Sequence, residues 1–372
     1  MRILIAVGLG GIYSGGAHQA YNQLRGFKLA GYDVMAVWGP DVNGDPHGFD
    51  KLKELDIPFQ IFPIDRKRTL DSLKQFRKIL VDYKPDVVEC FKSGAQYHAL
   101  YGGIGLNRHA LVFYRGIGLN MDVWQGLKYR LNRVDRVVAN CNDLRKIMIK
   151  TGKIPADKVD YIYGEYHSTL QDLDSVDITT LRQELNIPES VTLITQFGNW
   201  ATWRGQGTTL EATRQLKEKG YQFHLLFCGS GTDKLTKQVE RLGLQEQVTL
   251  SPYRRDPERV LKAADIMVNA STSHESFPGS LVNGHAAGLP AVATTMPGSG
   301  EIIVEGETGY LIPINDPDRL ANALEKMLNL SPEKLAQMGA NARERALRLF
   351  SSEVRTSKRL ECYEKAIAHR RG

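Results

Sequence analysis

The sequence predicts a doubly wound α/β chain folded as two units, on three observations. Strands and helices alternate from end to end, which makes parallel strands the natural outcome. The pattern restarts near the middle: a polar stretch, Tyr166–Pro188, is followed by a fresh apolar strand at Val191. The chain has 372 residues, enough for two cores.

The composition is that of a globular protein. With 42% hydrophobic and 24% charged residues it lies outside the disordered and collagenous classes. No solenoid repeat or low-complexity segment appears. No apolar run approaches the roughly 20 residues of a membrane span. The start, MRILIAVGLGG, runs into glycines without an A-x-A cleavage pattern, so a first buried strand is expected rather than a signal peptide. Cys90, Cys141, Cys228 and Cys362 lack CxxC spacing and read as reduced, buried thiols of a cytosolic protein.

Charge is unevenly shared. Residues 1–165 hold 24 Lys and Arg against 17 Asp and Glu, a net of +7; residues 166–372 hold 24 against 25, a net of −1. A basic first half points to an anionic surface partner, either lipid head groups at the inner face of a membrane or an acidic acceptor. For any single cluster a solvated face is the competing reading. Nucleic acid is not an expected partner.

In the first half, Arg2–Val7 is a strand, and Gly8, Gly10, Gly11, Gly15 and Gly16 make a glycine-rich loop. A helix, Ala17–Ala30, puts Ala20, Leu24 and Phe27 on one side, and Gly31 stops it before strand Asp33–Trp38. The loop is not a GxGxxG fingerprint, because the spacing differs and no acidic residue closes the second strand. It is either a backbone that lets a ligand approach or a mobile crossing loop. Strands follow at Phe59–Pro63, Asp86–Glu89, Leu111–Tyr114, Val137–Asn140 and Tyr161–Tyr163, with a helix at Leu70–Tyr83. Arg115-Gly116 ends the Leu111–Tyr114 strand, where a side chain faces the ligand crevice of such a sheet. That arginine either holds an acidic substrate group or makes a structural ion pair. In WQGLKYRLNRV, Trp124, Leu127, Leu131 and Val134 recur at helical spacing with Lys128, Arg130 and Arg133 between them. Such a stripe is either a helix lying on an anionic bilayer or, more often, one packed on its own core.

The second half is organised around Ala270–Gly309. Glu275 sits on a loop after an apolar strand, Ile266–Ala270, and the residues Ser276 to Ser280 precede a helix, Leu281–Ala287. A second strand, Pro290–Thr294, leads to another glycine-bearing loop, Pro297–Gly300, ending at Glu301. Two loops at strand carboxyl ends, each backed by a helix N-terminus, suit a diphosphate with something attached. Before this stretch come strand Val191–Phe197, the loop from Gly198 and Asn199 to Arg204 and Gly205, strand His224–Cys228 ending at Gly229, and the Tyr253-Arg254-Arg255 turn. Arg204 suits phosphate charge, or is an exposed loop arginine. Helices at Asp318–Leu328, Ser331–Leu349 and Ser352–Ala368 close the chain.

These residues carry a resemblance. With FG…RGQ, FCGSG, YRRDPERVLKAADIMVNAS, HESFPGSLVNGHAAGLPAVAT and PGSGEIIVEGETGYLI in order and spacing, the chain resembles the family 4 glycosyltransferases of the GT-B fold. The resemblance implies two Rossmann-like doubly wound domains facing across a cleft. Residues 1–168 would be the acceptor-binding domain, 190–351 the donor-binding domain, and the helix in 352–372 would return to the first domain. It implies a retaining transferase that uses a nucleotide-sugar donor without a metal or other cofactor, acting on a glycan or lipid-linked acceptor of the cell envelope. Glu275 would bond sugar hydroxyls, and the backbone around Ser276, Phe277, Pro278, Gly279, Ser280 and Leu281 would hold sugar and diphosphate. Gly15 and Gly16 would approach the diphosphate from the first domain, and Arg204 would take the phosphate charge. Gly229, Tyr253 and Arg254 would lie at the base, and Gly198 in the donor loop.

Three residues depart from the family pattern. The second acidic residue of the Glu–seven residues–Glu motif is Asn283, which loses about 1–2 kcal/mol of charge-assisted ribose binding. The arginine beside the phosphate-binding cation is Asn199, and the first-domain His-Gly is Arg115-Gly116. Arg115 could supply the missing phosphate charge. The departures also admit an alternative, a catalytically impaired GT-B protein that binds a glycan or partner. A different GT-B enzyme, such as an epimerase or phosphorylase, is a third reading, and no pyridoxal-type lysine motif supports the phosphorylase.

Overall fold

The computed structural model describes residues 1–8, 15–40, 49–64, 69–188 and 190–371. Gly10 and Gly11 of the glycine-rich loop lie outside the described residues. The chain divides into two compact units: Met1–Gly116 with Asn120–Glu165 and Ser352–Gly372, and Ile117–Leu119 with Tyr166–Ser351.

The first unit is built on seven parallel strands: β1 (Arg2–Val7), β2 (Asp33–Trp38), β3 (Phe59–Ile61), β4 (Val87–Phe91), β5 (Ala110–Arg115), β6 (Arg136–Ala139) and β7 (Val159–Tyr161). They lie in the order β3-β2-β1-β4-β5-β6-β7. The central strands are almost wholly buried, as parallel strands covered on both faces must be, and their sequences, RILIAV and VVECF, are apolar but for Arg2 at the exposed start and Glu89. Helix Gly15–Leu29 packs Leu24 and Phe27 against Tyr363 and Ala366 of the last helix, Ser352–Arg371. Glu89 stands in the middle of β4 with no exposure. A carboxylate buried there requires a partner. Arg359 of the last helix supplies it at 2.6 Å, and the Tyr363 hydroxyl donates a second hydrogen bond.

The second unit repeats the plan with six parallel strands: β8 (Thr192–Phe197), β9 (Phe223–Cys228), β10 (Val248–Ser251), β11 (Ile266–Asn269), β12 (Ala291–Thr294) and β13 (Gly309–Ile312), in the order β10-β9-β8-β11-β12-β13. Its core joins Leu210 and Leu216, Phe227, and Leu320, Leu324 and Met327. Strand order therefore reverses between β1 and β4 in one sheet and between β8 and β11 in the other. Doubly wound sheets open their ligand crevices at such points, beyond the strand carboxyl ends.

Several elements differ from expectation. A helix over Lys92–Gly102 follows β4 directly. Its sequence, KSGAQYHALYG, mixes glycine, charge and aromatics, so the periodic signal is weak, yet Ala95, His98 and Ala99 are buried. The Trp124–Val134 stripe is not one helical face. The helix spans Val123–Arg130 and ends there; Val134 is buried while Trp124 is 82% exposed. The Tyr166–Pro188 stretch is not a free linker but packs on the second unit. Leu181 is buried, Arg182 pairs with Asp265 at 3.6 Å, and Glu184 pairs with Arg254 and Arg259.

Candidate functional site

In the second unit, the crevice between β8 and β11 is formed by the segments that leave those strands. Beyond β8, Gly198 and Asn199 lead into a single turn, Thr202–Arg204. Beyond β11 the chain runs from Ala270 to Glu275. The two loops are joined: the Thr272 amide donates to the Trp203 carbonyl at 2.7 Å, and the Trp203 and His274 rings lie 5.0 Å apart. Buried Gln196 donates to the Arg204 carbonyl at 2.8 Å, so the turn carrying Arg204 is braced from the strand behind it.

The consequence is a charge pair. The Arg204 guanidinium donates to the Glu275 carboxylate at 2.8 Å, and Ser271 donates to the same oxygen at 3.4 Å. Both charged side chains keep some exposure, 31% for Arg204 and 15% for Glu275, so ligand can reach them. The two residues singled out separately in the sequence are thus one constellation. The backbone at Glu275 is held from a third side by Gly118, which belongs to this unit. A β-carbon on Gly118 would fall 1.9 Å from the Glu275 carbonyl oxygen.

After Glu275 the chain buries Ser276 and Phe277; the Phe277 ring packs edge-on against Phe350 at 5.3 Å. These side chains are structural, which leaves the backbone to face a ligand. The helix that follows runs over Gly279–Ala286, with Pro278 at its N-cap and no side-chain cap. Its first amides, at Gly279, Ser280 and Leu281, therefore have no internal partner, and its dipole adds partial positive charge beside the Arg204–Glu275 pair. Nothing stands within 4 Å of a β-carbon placed on Gly279, so the end is open. The second loop is weaker than the sequence suggested. Its helix is one turn, Ser299–Ile302, started by Gly298 in the left-handed region. A turn that short sums few dipoles.

The other site residues are placed as follows. Asn199 accepts from the Ser230 amide at 3.0 Å, and a β-carbon on Gly229 would fall 2.4 Å from the Gly198 carbonyl, so Gly198, Asn199 and Gly229 form one tight junction above β8 and β9. Asn283 accepts from the His167 amide at 2.8 Å. Tyr253 is 59% exposed. Arg254 is held by Asp256, which accepts at 2.8 and 2.6 Å, and by Glu184 at 3.2 Å, and those carboxylates raise its pKa. Its charge is neutralised in place. In the first unit, Gly15 opens its helix, and a β-carbon on Gly16 would meet nothing within 4 Å. Arg115 ends β5 and hydrogen-bonds the buried Tyr129 hydroxyl, whose pKa is raised first by burial and opposed by Arg115.

One first-unit residue escaped the sequence reading, and another has a setting different from the helical stripe. Lys92 follows β4 beside the reversal of strand order and is exposed, while Lys128 turns to Ser93, to which it donates at 3.2 Å. A lysine directly after an apolar strand was the available signal, but only strand order shows which strand ends border a crevice.

Among the described residues, no helix is long and apolar enough to cross a membrane.

Two family models divide the chain: Glycosyltransferase Family 4 matches residues 13–164, and Glycosyl transferases group 1 matches residues 177–345. The chain is 27% identical over 351 residues to the putative glycosyltransferase EpsD of Bacillus subtilis, covering 89% of this chain and 91% of that one. It is 23% identical to the capsular polysaccharide biosynthesis glycosyltransferase CapM of Staphylococcus aureus, covering 82% and 84%. Against several other curated glycosyltransferases it spans about half their length or less. Among solved structures, Anabaena Alr3699/HepE in complex with UDP superposes with a TM-score of 0.84 at 20% identity, covering 98% of this chain and all of that one. The same Anabaena protein is also solved with UDP-glucose.

Proposed function

Because the chain is a family 4-like glycosyltransferase of the GT-B fold, we propose that it moves a hexosyl unit from a nucleotide sugar, with retention, onto a glycan or lipid-linked acceptor in cell-envelope polysaccharide synthesis. The observation that carries the reading is the Arg204–Glu275 pair, set at the sheet's reversal point beside an uncapped helix N-terminus. The UDP in the Anabaena structure and the capsular role in the CapM name support the donor class and the setting.

The chemistry follows from charge. As the glycosidic bond breaks, negative charge grows on the leaving nucleoside diphosphate. The Arg204 guanidinium and the amides of Gly279–Leu281 stabilise it there, without a metal. Glu275, released from part of its bond to Arg204, accepts hydroxyl hydrogens of the sugar. Retention follows if the acceptor hydroxyl attacks from the leaving-group side and passes its proton to a phosphate oxygen. The first unit takes the acceptor.

Incubation with UDP-glucose, other UDP sugars and GDP sugars, with lipid-linked and free glycan acceptors, tests this. The product should carry the donor's anomeric configuration by NMR; an inverted product overturns retention. A second reading, a binding module without turnover, is favoured by one observation. One lone pair of the Asn283 oxygen is already taken by the His167 amide, and the residue carries no charge with which to grip a ribose. Donor binding by calorimetry with no transfer to any acceptor would establish it.

We also propose a peripheral seat at the inner membrane face, since Val123, Trp124 and Leu127 are 42%, 82% and 47% exposed on a helix that also carries Arg130 in its last turn. Co-sedimentation with anionic vesicles tests it; Trp124→Ala should release the protein, and equal sedimentation of both forms would end the idea.

A further inference from the structure

We infer that the carboxyl ends of β4 and β5 form an oxyanion subsite, in which Lys92, Arg115 and Lys128 bind a phosphate or carboxylate group carried by the acceptor. The inference rests on the reading of the first unit as the acceptor unit and adds the chemistry of what that unit takes.

Three observations converge on it. The first is register. β4 and β5 pair in parallel with Val87 opposite Ala110 and Cys90 opposite Phe113. The Phe91 and Tyr114 rings lie 4.5 Å apart, and Lys92 and Arg115 are the next residues after these neighbours, at two adjacent strand ends by the reversal point between β1 and β4 where such a sheet opens its crevice. Cations at neighbouring strand ends repel, and an anion bound there relieves that repulsion.

The second is the fixation of Lys128. Its ammonium donates to Ser93 at 3.2 Å and lies 5.1 and 5.0 Å from the rings of Tyr97 and Tyr129. Ser93 is the residue after Lys92, and Tyr129 is the residue whose hydroxyl meets Arg115. Tyr129 thus joins Lys128 and Arg115, and Ser93 anchors Lys128 one residue after Lys92, so two of the three cations are positioned before any ligand arrives.

The third is backbone strain at Lys92, which sits at φ +67, a left-handed conformation that a β-carbon disfavours. Glycine would adopt it freely. A strained residue of this kind at a crevice points to a side chain with work to do. Desolvation of the ammonium by the neighbouring chain also lowers the Lys92 pKa, so it gains from an anion that replaces lost hydration. Behind it runs the Lys92–Gly102 helix, whose N-cap, Phe91, makes no side-chain cap bond. A phosphate would meet that dipole as well.

The test is calorimetric titration of glycerol phosphate and of glucuronate into the whole protein, with UDP present at saturation to occupy a donor site. At least one of the two should bind, and which one identifies the anion as phosphate or carboxylate. Lys92→Gly relaxes the backbone while removing the amine, so it should raise the melting temperature and weaken that binding tenfold or more. Lys128→Ala should weaken it similarly without changing the circular dichroism. Failure of both anions to bind at millimolar concentration, or unchanged affinity in both variants, overturns the subsite. UDP binding is read in the same instrument. If UDP does not bind while glycerol phosphate does, the donor reading falls and the subsite stands; the reverse sinks only the subsite.

Discussion

Gly118→Ala is a one-carbon change whose effect can be worked out from the structure. The new β-carbon would lie 1.9 Å from the Glu275 carbonyl oxygen and 3.2 Å from the Ser276 α-carbon. Both are backbone, so no side chain can swing away. The contact must open by about 1 Å, either by lifting residues 117–119 or by displacing Glu275, and overpacking of this kind costs about 1–3 kcal/mol. In a unit of this size that corresponds to a melting temperature lower by about 2–12 °C. The functional loss should be larger. Glu275 is the partner of Arg204, and a shift of about 1 Å in a positioned group costs on the order of 100-fold in rate. Differential scanning fluorimetry and UDP release from UDP-glucose measure the two effects. Gly300→Ala is the control, because its β-carbon would meet only Leu311 Cδ1 at 3.7 Å. A Gly118→Ala protein with unchanged melting and full turnover would refute the account of how Glu275 is held.

Four further outcomes follow. Arg204→Ala should lower transfer by about 10²–10³-fold through the loss of leaving-group stabilisation, with partial recovery in Arg204→Lys; steady-state rates with saturating donor check it. Gly16→Ala should leave the melting temperature unchanged or raised, since its β-carbon meets nothing within 4 Å, while weakening UDP binding if the diphosphate approaches this turn. His285 is held to about 3, first by burial and then by Arg345, against about 6.5 unfolded. The unfolded chain therefore takes up a proton that the fold refuses, so this stability is intact above pH 6.5 and falls by about 1.4 kcal/mol per pH unit on acidification towards 3; urea midpoints at pH 7, 6 and 5 should show a shallower decline in His285→Gln. Asn283→Glu keeps an acceptor for the His167 amide and restores a carboxylate, so UDP affinity should rise about tenfold; an unchanged dissociation constant removes residue 283 from the nucleotide site.

Most of the architecture was readable from the chain because both sheets are buried on two faces. Arg2–Val7 and Asp33–Trp38 show as apolar runs closed by Gly8 and Gly39, and the structure starts and stops them at the same residues. Glu275, Arg204 and the Gly279 helix were readable because they follow strands closely. What was not readable depended on neighbours far away in sequence. Lys92 acquires meaning only once β1 and β4 are seen to adjoin. Gly118 looks like an ordinary loop glycine until its distance to Glu275 is known. The resemblance sets Arg254 at the nucleotide base, but Glu184, 70 residues earlier, and Asp256 neutralise its charge. The Trp124 stripe failed for a local reason: its spacing is helical, but the helix ends at Arg130, so Val134 turns inward while Trp124 stays out.

The placement of the last helix changes what the charge of the chain means. Residues 352–372 carry six Lys and Arg and three Asp and Glu. Assigned to the first unit, they raise its net charge from +7 to +10 and leave the second at −4. Part of that positive charge is spent internally: Arg359 answers Glu89, Arg355 faces Glu165 at 3.5 Å, and Arg370 and Arg133 share Asp135. Lys92 and Arg115 stand at the carboxyl ends of β4 and β5, and Arg115 and Lys128 hydrogen-bond the neutral side chains of Tyr129 and Ser93. The long-range field of the first unit therefore draws anions in general, while these three cations decide which are kept. The second unit has no such field. What it offers an anion is short-range, one guanidinium and the first amides of one helix, with the geometry around Glu275 braced from three sides.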